Sequence, residues 1–148
     1  MIVGIGLDLV DLDRLARLLE RHGEAFVRRV CRDGEARIGS GPARVAHVGG
    51  LFAAKEAAMK ALGTGWARGV AFRQVEVVRA ESGAPALRLH GEAERLAREL
   101  GVARAHLTIS HDGRSAAAVV VLEAASAMTA DAALAESAMT ADSALRNR

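Results

Sequence analysis

The sequence of 148 residues is poor in aromatic side chains: it has no tyrosine, and aromatic residues make up only 3%. A surface that stacks nucleic-acid bases on aromatic rings is therefore not expected. Cys31 is the only cysteine, which excludes a disulfide within the chain. The longest apolar run, at 116–122, is far too short to span a membrane, and the N-terminus has no cleavage signal. These absences predict an intracellular, cytoplasmic protein that acts on neither nucleic acid nor membranes.

Lysine is scarce as well, because only Lys55 and Lys60 among the 20 basic residues are lysines. They flank Glu56. The lysine ammonium is a compact, strongly hydrated point charge that suits phosphate oxygens or proton transfer. At about 3.6 residues per turn, Gly49, Ala53, Glu56 and Lys60 share one helix face, which leaves room for a ligand. The alternative is that Glu56 and Lys60 form an ordinary surface pair.

The helix that carries this face is predicted at 43–62, with Pro42 in its first turn and Gly63 directly after its end. Thr64 and Gly65 follow. A glycine-rich turn of this kind either only stops the helix or brings backbone amides close to a phosphate.

The N-terminal stretch 2–10 alternates as a strand, which places Asp8 on one face with Gly4 and Gly6. Glycine inside a strand often marks a close approach by backbone or ligand. The alternative is that Asp8 merely ends the strand. The opposite face consists of Val3, Ile5, Leu7 and Leu9.

The remaining pattern predicts one α+β domain at 1–123 and a tail at 124–148. The segment 127–131 recurs as 138–142, so the Ala- and Ser-rich tail is expected to be a frayed helix or disordered. The predicted elements of the domain are a helix at 12–22 between Asp11 and Gly23, short helical turns at 26–38, strands at 72–79 and 86–90, a helix at 92–100, and a hairpin of strands 105–110 and 115–122 around Asp112.

Three arginines, Arg14, Arg17 and Arg21, recur at helical spacing and form a basic stripe along the first helix. One interpretation is a solvated face balanced by Asp13 and Glu20. The other is a docking surface for an acidic partner.

Two motifs now stand together: Gly-Ile-Gly-Leu-Asp at 4–8, and Phe-Ala-Ala-Lys-Glu-Ala-Ala-Met-Lys followed by Ala-Leu-Gly-Thr-Gly at 52–65. With the strand pattern at 75–77 and the stretch 106–111, they closely resemble the holo-acyl-carrier-protein synthases, the small bacterial class of 4′-phosphopantetheinyl transferases. The resemblance covers 1–123. It implies an α+β fold in which a mostly antiparallel sheet packs on a long central helix.

The resemblance further implies an enzyme of lipid metabolism that transfers 4′-phosphopantetheine from coenzyme A to a serine of apo acyl carrier protein. The other product is adenosine 3′,5′-bisphosphate. Mg²⁺ is required, and the family forms homotrimers with sites at subunit interfaces. Whether the carrier is of the fatty-acid or polyketide type stays open.

The resemblance also assigns residues. The metal ligands fall on Asp8 and Glu56, and Mg²⁺ is commonly held by such a carboxylate pair, with phosphate oxygens and waters completing its shell. The catalytic set is Asp8, Glu56 and Lys60, where Lys60 stabilises the leaving phosphate and Glu56 is the first candidate for the general base, directly or through water. The family docks the carrier on the first helix, with its arginine at Arg14, and helical spacing adds Arg17 and Arg21 to the predicted docking surface. The positions assigned to coenzyme A are Lys55, Lys60, Gly63, Thr64, Gly65, Ser110 and His111.

The chain departs from the family pattern at Leu51, where the family usually has arginine, and Arg44 is a candidate replacement. The segment 33–45 also matches poorly, although Glu35 fits an acidic position. Leu51 supports one rival, a non-catalytic oligomeric carrier-binding subunit of the same fold. The arginine count supports another, a nucleic-acid-binding domain, against which the scarcity of aromatics argues.

Overall fold

The architecture comes from a computed structural model that describes residues 1–36, 39–64 and 69–125. In chain order, the elements are β1 (Ile2–Asp11), α1 (Leu12–Val30), α2 (Gly41–Ala61), a 3₁₀ turn (Phe72–Gln74), β2 (Val75–Arg79), β3 (Pro85–Leu89), α3 (Gly91–Glu99), β4 (Val102–Asp112) and β5 (Ser115–Ala124).

The strands described form two antiparallel sheets, one of three strands in the order β1-β5-β4 and one hairpin of β2 and β3. The long helix α2 packs against the three-stranded sheet. The predicted α+β class with a mostly antiparallel sheet on a central helix is therefore confirmed. None of the helices in the described ranges combines the length and the apolar character needed to cross a membrane.

Glycines in β1 let the backbone of α2 lie directly on the strand. A Cβ atom at Gly4 would be 2.1 Å from the carbonyl oxygen of Ala61, and one at Gly6 would be 1.9 Å from that of Ala57. No side chain fits at such distances. The predicted close approach is confirmed, and it is made by helix backbone. Because Asp8 follows on the same inward face, it points toward the next part of α2.

Helix α1 begins as predicted, since the Asp11 side chain accepts a hydrogen bond of 2.8 Å from the amide of Arg14. The predicted end at Gly23 is confirmed, because the first helical segment of α1 is interrupted there. Gly23 adopts φ 47° and ψ −128°, a conformation open to glycine, and a second helical segment continues through Val30. Val27 and Val30 are buried, so packing of this segment compensates for the kink.

The hairpin predicted around Asp112 is confirmed, with Asp112 paired to Ser115 across a tight loop. Both strands are longer than the alternating pattern indicated. Inward residues of β5 are small or branched, and Ala116 leaves room for Gly49 of α2. The predicted tail 124–148 lies outside the described residues from 126 onward, and its boundary stays a prediction.

The outer face of the three-stranded sheet is apolar and exposed. Ile5, Leu7 and Leu9 are 62%, 59% and 69% exposed, respectively. Their neighbours Val119 and Val121 on β5 are half-buried on the same face. Exposed apolar patches of this kind are typical of interaction surfaces.

Candidate active site

A cleft of about 390 Å³ lies between β1, α1 and α2. It brings Asp8 of β1 together with Glu56 of α2, two residues that are far apart in the sequence. Its lining residues are Asp8, Leu9, Val10, Asp11, Arg14, Leu15, Leu18, Phe26, Phe52 and Glu56. The predicted pairing of the two carboxylates is therefore present in this fold.

Lys60 bonds to β1. Its Nζ donates to Asp8 Oδ1 at 2.8 Å and to the carbonyl oxygen of Leu7 at 2.9 Å. Among the described residues, Lys60 therefore pairs with Asp8 and not with Glu56, so the ordinary surface pair along the helix does not form. The ammonium instead fixes Asp8 relative to α2 and adds positive charge beside the carboxylate pair.

The pKa of Glu56 is raised above its ordinary value. Burial of the carboxyl is the main cause, and the negative charge of Asp8 adds to it, while the positive charge of Lys60 opposes both. Two carboxylates that repel each other in a half-buried cleft are an arrangement that a cation stabilises.

The donor set fits Mg²⁺. Within the described ranges, no group of three or more histidine, cysteine, aspartate or glutamate side chains is placed to hold a metal. A zinc site needs at least three such ligands, whereas Mg²⁺ is usually held by one or two carboxylates with substrate phosphates and waters. Asp8 and Glu56 are the residues that would hold the ion.

The basic stripe begins at this cleft. Arg14 lines it, and the side chains of Arg14, Arg17 and Arg21 are all exposed. Asp13, which one interpretation paired with the stripe, instead accepts a 2.8 Å hydrogen bond from Arg114. In the described part of the chain, no carboxylate forms a salt bridge with the stripe.

A larger cleft of about 670 Å³ lies beyond α2. At about 3.6 residues per turn, its residues His47 and Gly50 face away from Phe52 and Glu56. Its lining residues are Asp33, Gly34, Glu35, Ala43, Ala46, His47, Gly50, Leu51, Glu76, Val77, Val78, Arg79, Pro85, Ile109 and His111. Within one chain, helix α2 therefore separates this space from the carboxylate pair.

Lys55 does not join either cleft, in contrast to its predicted contact with coenzyme A. Its side chain is 0% exposed, and its Nζ lies 2.9 Å from Glu35 Oε1. Burial lowers the pKa of Lys55, and the charge of Glu35 opposes this shift. The prediction failed because one helix position separates Lys55 from Glu56, which turns its side chain into the core.

Gly63 and Thr64 end helix α2. Gly63 has φ 69°, its amide donates to the Lys60 carbonyl at 3.0 Å, and the Thr64 amide donates to the Met59 carbonyl at 3.1 Å. The Thr64 hydroxyl donates to the same carbonyl at 3.0 Å. Both amides are thus used by the helix stop, the simpler alternative, and are not free to bind phosphate as predicted. Gly65 lies outside the described residues.

The other predicted positions divide between the two faces of the sheet. His111 lines the larger cleft with Leu51, whereas Ser110 is exposed and lines neither cleft. Arg44, the candidate replacement for the missing arginine, forms an ion pair with Glu24 of α1. It does not line the larger cleft.

Sequence reasoning missed His47 in the larger cleft, and it named Glu35 without predicting its contacts. His47 Nε2 lies 2.8 Å from the carbonyl oxygen of Glu35, and Glu35 pairs with Lys55. The scarcity of lysine was the available signal for the ion pair, but it identified only the lysine and not its partner 20 positions earlier.

Comparison with known proteins identifies the family of the chain. Residues 4–120 match the sequence model of the 4′-phosphopantetheinyl transferase superfamily. A holo-[acyl-carrier-protein] synthase of Solidesulfovibrio magneticus is 50% identical over 123 residues, which are 83% of this chain and 99% of the relative.

Solved structures are similar as well. A holo-[acyl-carrier-protein] synthase from Neisseria meningitidis has a TM-score of 0.73 and 35% identity, and the match covers 83% of this chain and 99% of that one. A synthase from Bacillus anthracis, in complex with CoA (3′,5′-ADP), has a TM-score of 0.70 and 36% identity, covering 84% and 99%.

The fold and the sequence match define the class: this chain belongs to the 4′-phosphopantetheinyl transferase superfamily. Within that superfamily, it is similar to the holo-[acyl-carrier-protein] synthases over nearly their whole length. The resemblance found in the motifs is thereby confirmed.

Proposed function

We propose that this protein transfers the 4′-phosphopantetheine group from coenzyme A to a serine of apo acyl carrier protein, releasing adenosine 3′,5′-bisphosphate. The observation that carries the proposal is the cleft in which Asp8 and Glu56 converge beside Arg14. The match to holo-[acyl-carrier-protein] synthases at 50% identity supports the substrate pair.

The reaction forms a bond between the serine oxygen and phosphorus and breaks the bond from phosphorus to the bisphosphate oxygen. Glu56 is the first candidate for the group that takes the serine proton in this proposal, directly or through a water. Lys60, held 2.8 Å from Asp8, places its ammonium where negative charge develops on the leaving phosphate.

The enzyme is proposed to depend on Mg²⁺, held by Asp8 and Glu56. A bound ion would neutralise the negative charge on the pyrophosphate of coenzyme A. The support is the chemistry of the pair: two carboxylates converge, and their repulsion together with burial raises the pKa of Glu56.

The nucleotide end of coenzyme A is assigned to the larger cleft, where His47, Arg79 and His111 are the basic side chains. Since α2 separates this cleft from Asp8 and Glu56 within one chain, a complete site requires two neighbouring copies. We propose that the copies form a homotrimer with sites at its interfaces, as the resemblance to the family implies. The exposed apolar face of Ile5, Leu7 and Leu9 supports such an assembly.

Intact-mass analysis of an apo acyl carrier protein tests the function. The carrier is incubated with this protein and coenzyme A, with Mg²⁺ or with EDTA. A carrier heavier by one phosphopantetheine group only with Mg²⁺ is the expected result. An unchanged carrier that still binds the protein would support the rival, a carrier-binding subunit without turnover.

The location proposed for the reaction is the cytoplasm, and the process is lipid metabolism.

A further inference from the structure

A buried ion pair joins helix α2 to the loop that follows α1. Lys55 Nζ lies 2.9 Å from Glu35 Oε1, and the two side chains are 0% and 3% exposed. Two charges removed from water are tolerated only where hydrogen bonds compensate for the lost hydration. The hydrogen-bond partners of the two charged groups therefore indicate which segments the ion pair connects.

Those partners lie on the 3₁₀ turn, on β2 and on the same loop as Glu35. Lys55 Nζ also donates to the carbonyl oxygen of Phe72 at 3.3 Å and to that of Val75. The Glu35 carboxylate accepts from the amide of Val77 at 2.8 Å and from that of Arg32. The pair thus connects α2, the loop after α1, the 3₁₀ turn and β2.

The contacts with β2 replace a neighbouring strand. Val75 and Val77 are two positions apart, so their backbone groups point to the same edge, away from β3. A parallel strand would donate to the Val75 carbonyl and accept from the Val77 amide at that edge. Lys55 and Glu35 make these two bonds instead. The edge of β2 is thereby bonded to α2 and closed to other strands.

The same segments form the walls of the larger cleft. Glu35 and Val77 line one wall, and His47 and Gly50 of α2 line the other. The His47 ring adds a second link, because its Nε2 lies 2.8 Å from the Glu35 carbonyl oxygen. Glu35 thus belongs both to the ion pair and to one wall, whereas Lys55 is buried and lines neither cleft.

We propose that Lys55 and Glu35 are positioning residues that set the spacing of the two walls and thereby the affinity for coenzyme A. The proposal rests on the proposed function, which assigns the larger cleft to the nucleotide. Neither side chain contacts the co-substrate: Lys55 is wholly buried, and the carboxylate of Glu35 is engaged by protein groups. Their effect appears in binding and not in the chemical step.

The test uses the full chain and three variants: Lys55→Met, Glu35→Gln, and the double variant Lys55→Met with Glu35→Gln. Each is assayed for transfer and titrated with coenzyme A by calorimetry. We expect each variant to raise the KM and the Kd for coenzyme A about tenfold, since small misplacements of binding groups weaken productive binding. The kcat and the KM for the carrier are expected to change less than about twofold.

The double variant separates the effect of the ion pair on the spacing of the cleft walls from its effect on the stability of the protein. Each single variant leaves one unpaired buried charge and lowers Tm, whereas the double variant removes both charges and is expected to recover Tm. Its KM for coenzyme A is expected to stay raised. The matched control is Leu96→Ala, a buried residue of α3 that lines neither cleft. A cavity there lowers Tm without altering the cleft walls.

The outcomes are distinct. A KM that follows Tm through all four variants, including Leu96→Ala, would overturn the positioning role and leave a purely structural pair. A double variant with the KM of the wild type would overturn it as well. Wild-type protein that neither binds coenzyme A nor modifies the carrier would instead refute the proposed function, and with it the assignment of the cleft.

Discussion

At the residue scale, the carboxylate pair gives the most direct prediction. Asp8→Ala and Glu56→Ala should each reduce Mg²⁺-dependent transfer by more than about a hundredfold, the order of loss when a group that stabilises transition-state charge is removed. Both residues face the cleft and not the apolar core, so the circular dichroism spectrum should not change. Turnover is measured by intact mass of the carrier.

Asp13→Ala is the matched control for this pair. Asp13 is exposed, pairs with Arg114, and does not line the cleft, so its loss should leave transfer near the wild-type rate. Near wild-type turnover in the Asp8 or Glu56 variant would show that the residue is not a ligand.

The raised pKa of Glu56 predicts a conflict between stability and activity. Between its ordinary pKa and its raised folded pKa, the folded chain binds more protons than the unfolded one. The free energy of unfolding therefore falls as pH rises through this window, and the loss persists above it. In EDTA at neutral pH, Glu56→Gln should be more stable than the wild type, and with Mg²⁺ present it should be inactive. Thermal melts from about pH 4 to about pH 8 measure this.

Glu92→Gln gives the opposite sign and serves as the control. A hydrogen bond from Arg95 lowers the pKa of Glu92, so its contribution to stability is present above its ordinary pKa and is lost as pH falls through the lowered value. A Glu56→Gln variant less stable than the wild type at neutral pH would contradict the repulsion inferred between Asp8 and Glu56.

At the element scale, helix α1 is predicted to dock the acidic carrier through its basic stripe. Arg14→Glu combined with Arg17→Glu should lower kcat/KM for the carrier by about ten- to a hundredfold at low salt, because exposed charges steer encounter. The loss should shrink as salt rises, since the Debye length is about 8 Å at physiological ionic strength. Coenzyme A affinity should barely change. Steady-state kinetics at several salt concentrations measure both effects.

Arg28→Glu combined with Arg29→Glu carries the same change in charge on the same helix. Both arginines are exposed, lie beyond the kink at Gly23 and do not line the smaller cleft. Equal losses from the two double variants would mean that overall charge matters and not docking at the cleft. Equal losses for carrier and coenzyme A would assign the stripe to the fold or the nucleotide.

At the scale of the whole molecule, the exposed face of β1 predicts self-association. Light scattering coupled to size exclusion should give three times the chain mass of 15.5 kDa. Ile5→Glu places a charge on this face and should shift the mass toward one chain and abolish transfer, because α2 separates the two clefts within a copy. An active monomer at assay concentration would contradict the trimer.

Leu100→Glu is the control for that substitution. Leu100 is exposed too, and it lies at the end of α3 and not on β1. A charge there should change neither the mass nor the activity. Dissociation by both substitutions would point to a general effect of added charge.

The sequence by itself determined the elements and most of the carboxylate site. Alternation over β1, the cap at Asp11, the stop at Gly63 and the turn at Asp112 depend on neighbours within a few positions, and each is where the local pattern predicts it. Gly4 and Gly6 also predicted that another part of the molecule comes close to β1. Asp8 and Glu56 could be paired because the motifs around them resemble one family.

The tertiary structure alone decided what the two lysines do. Lys55 and Lys60 are equally suited to phosphate by chemistry, yet Lys55 is sealed behind Glu35 while Lys60 reaches Asp8. Gly23 interrupts α1 as the sequence predicts, whereas the extent of the helical segment after it depends on the packing of Val27 and Val30. The reason is physical: burial and ion pairing depend on contacts between positions far apart in the chain, and local spacing carries no information about which distant segment will cover a given face.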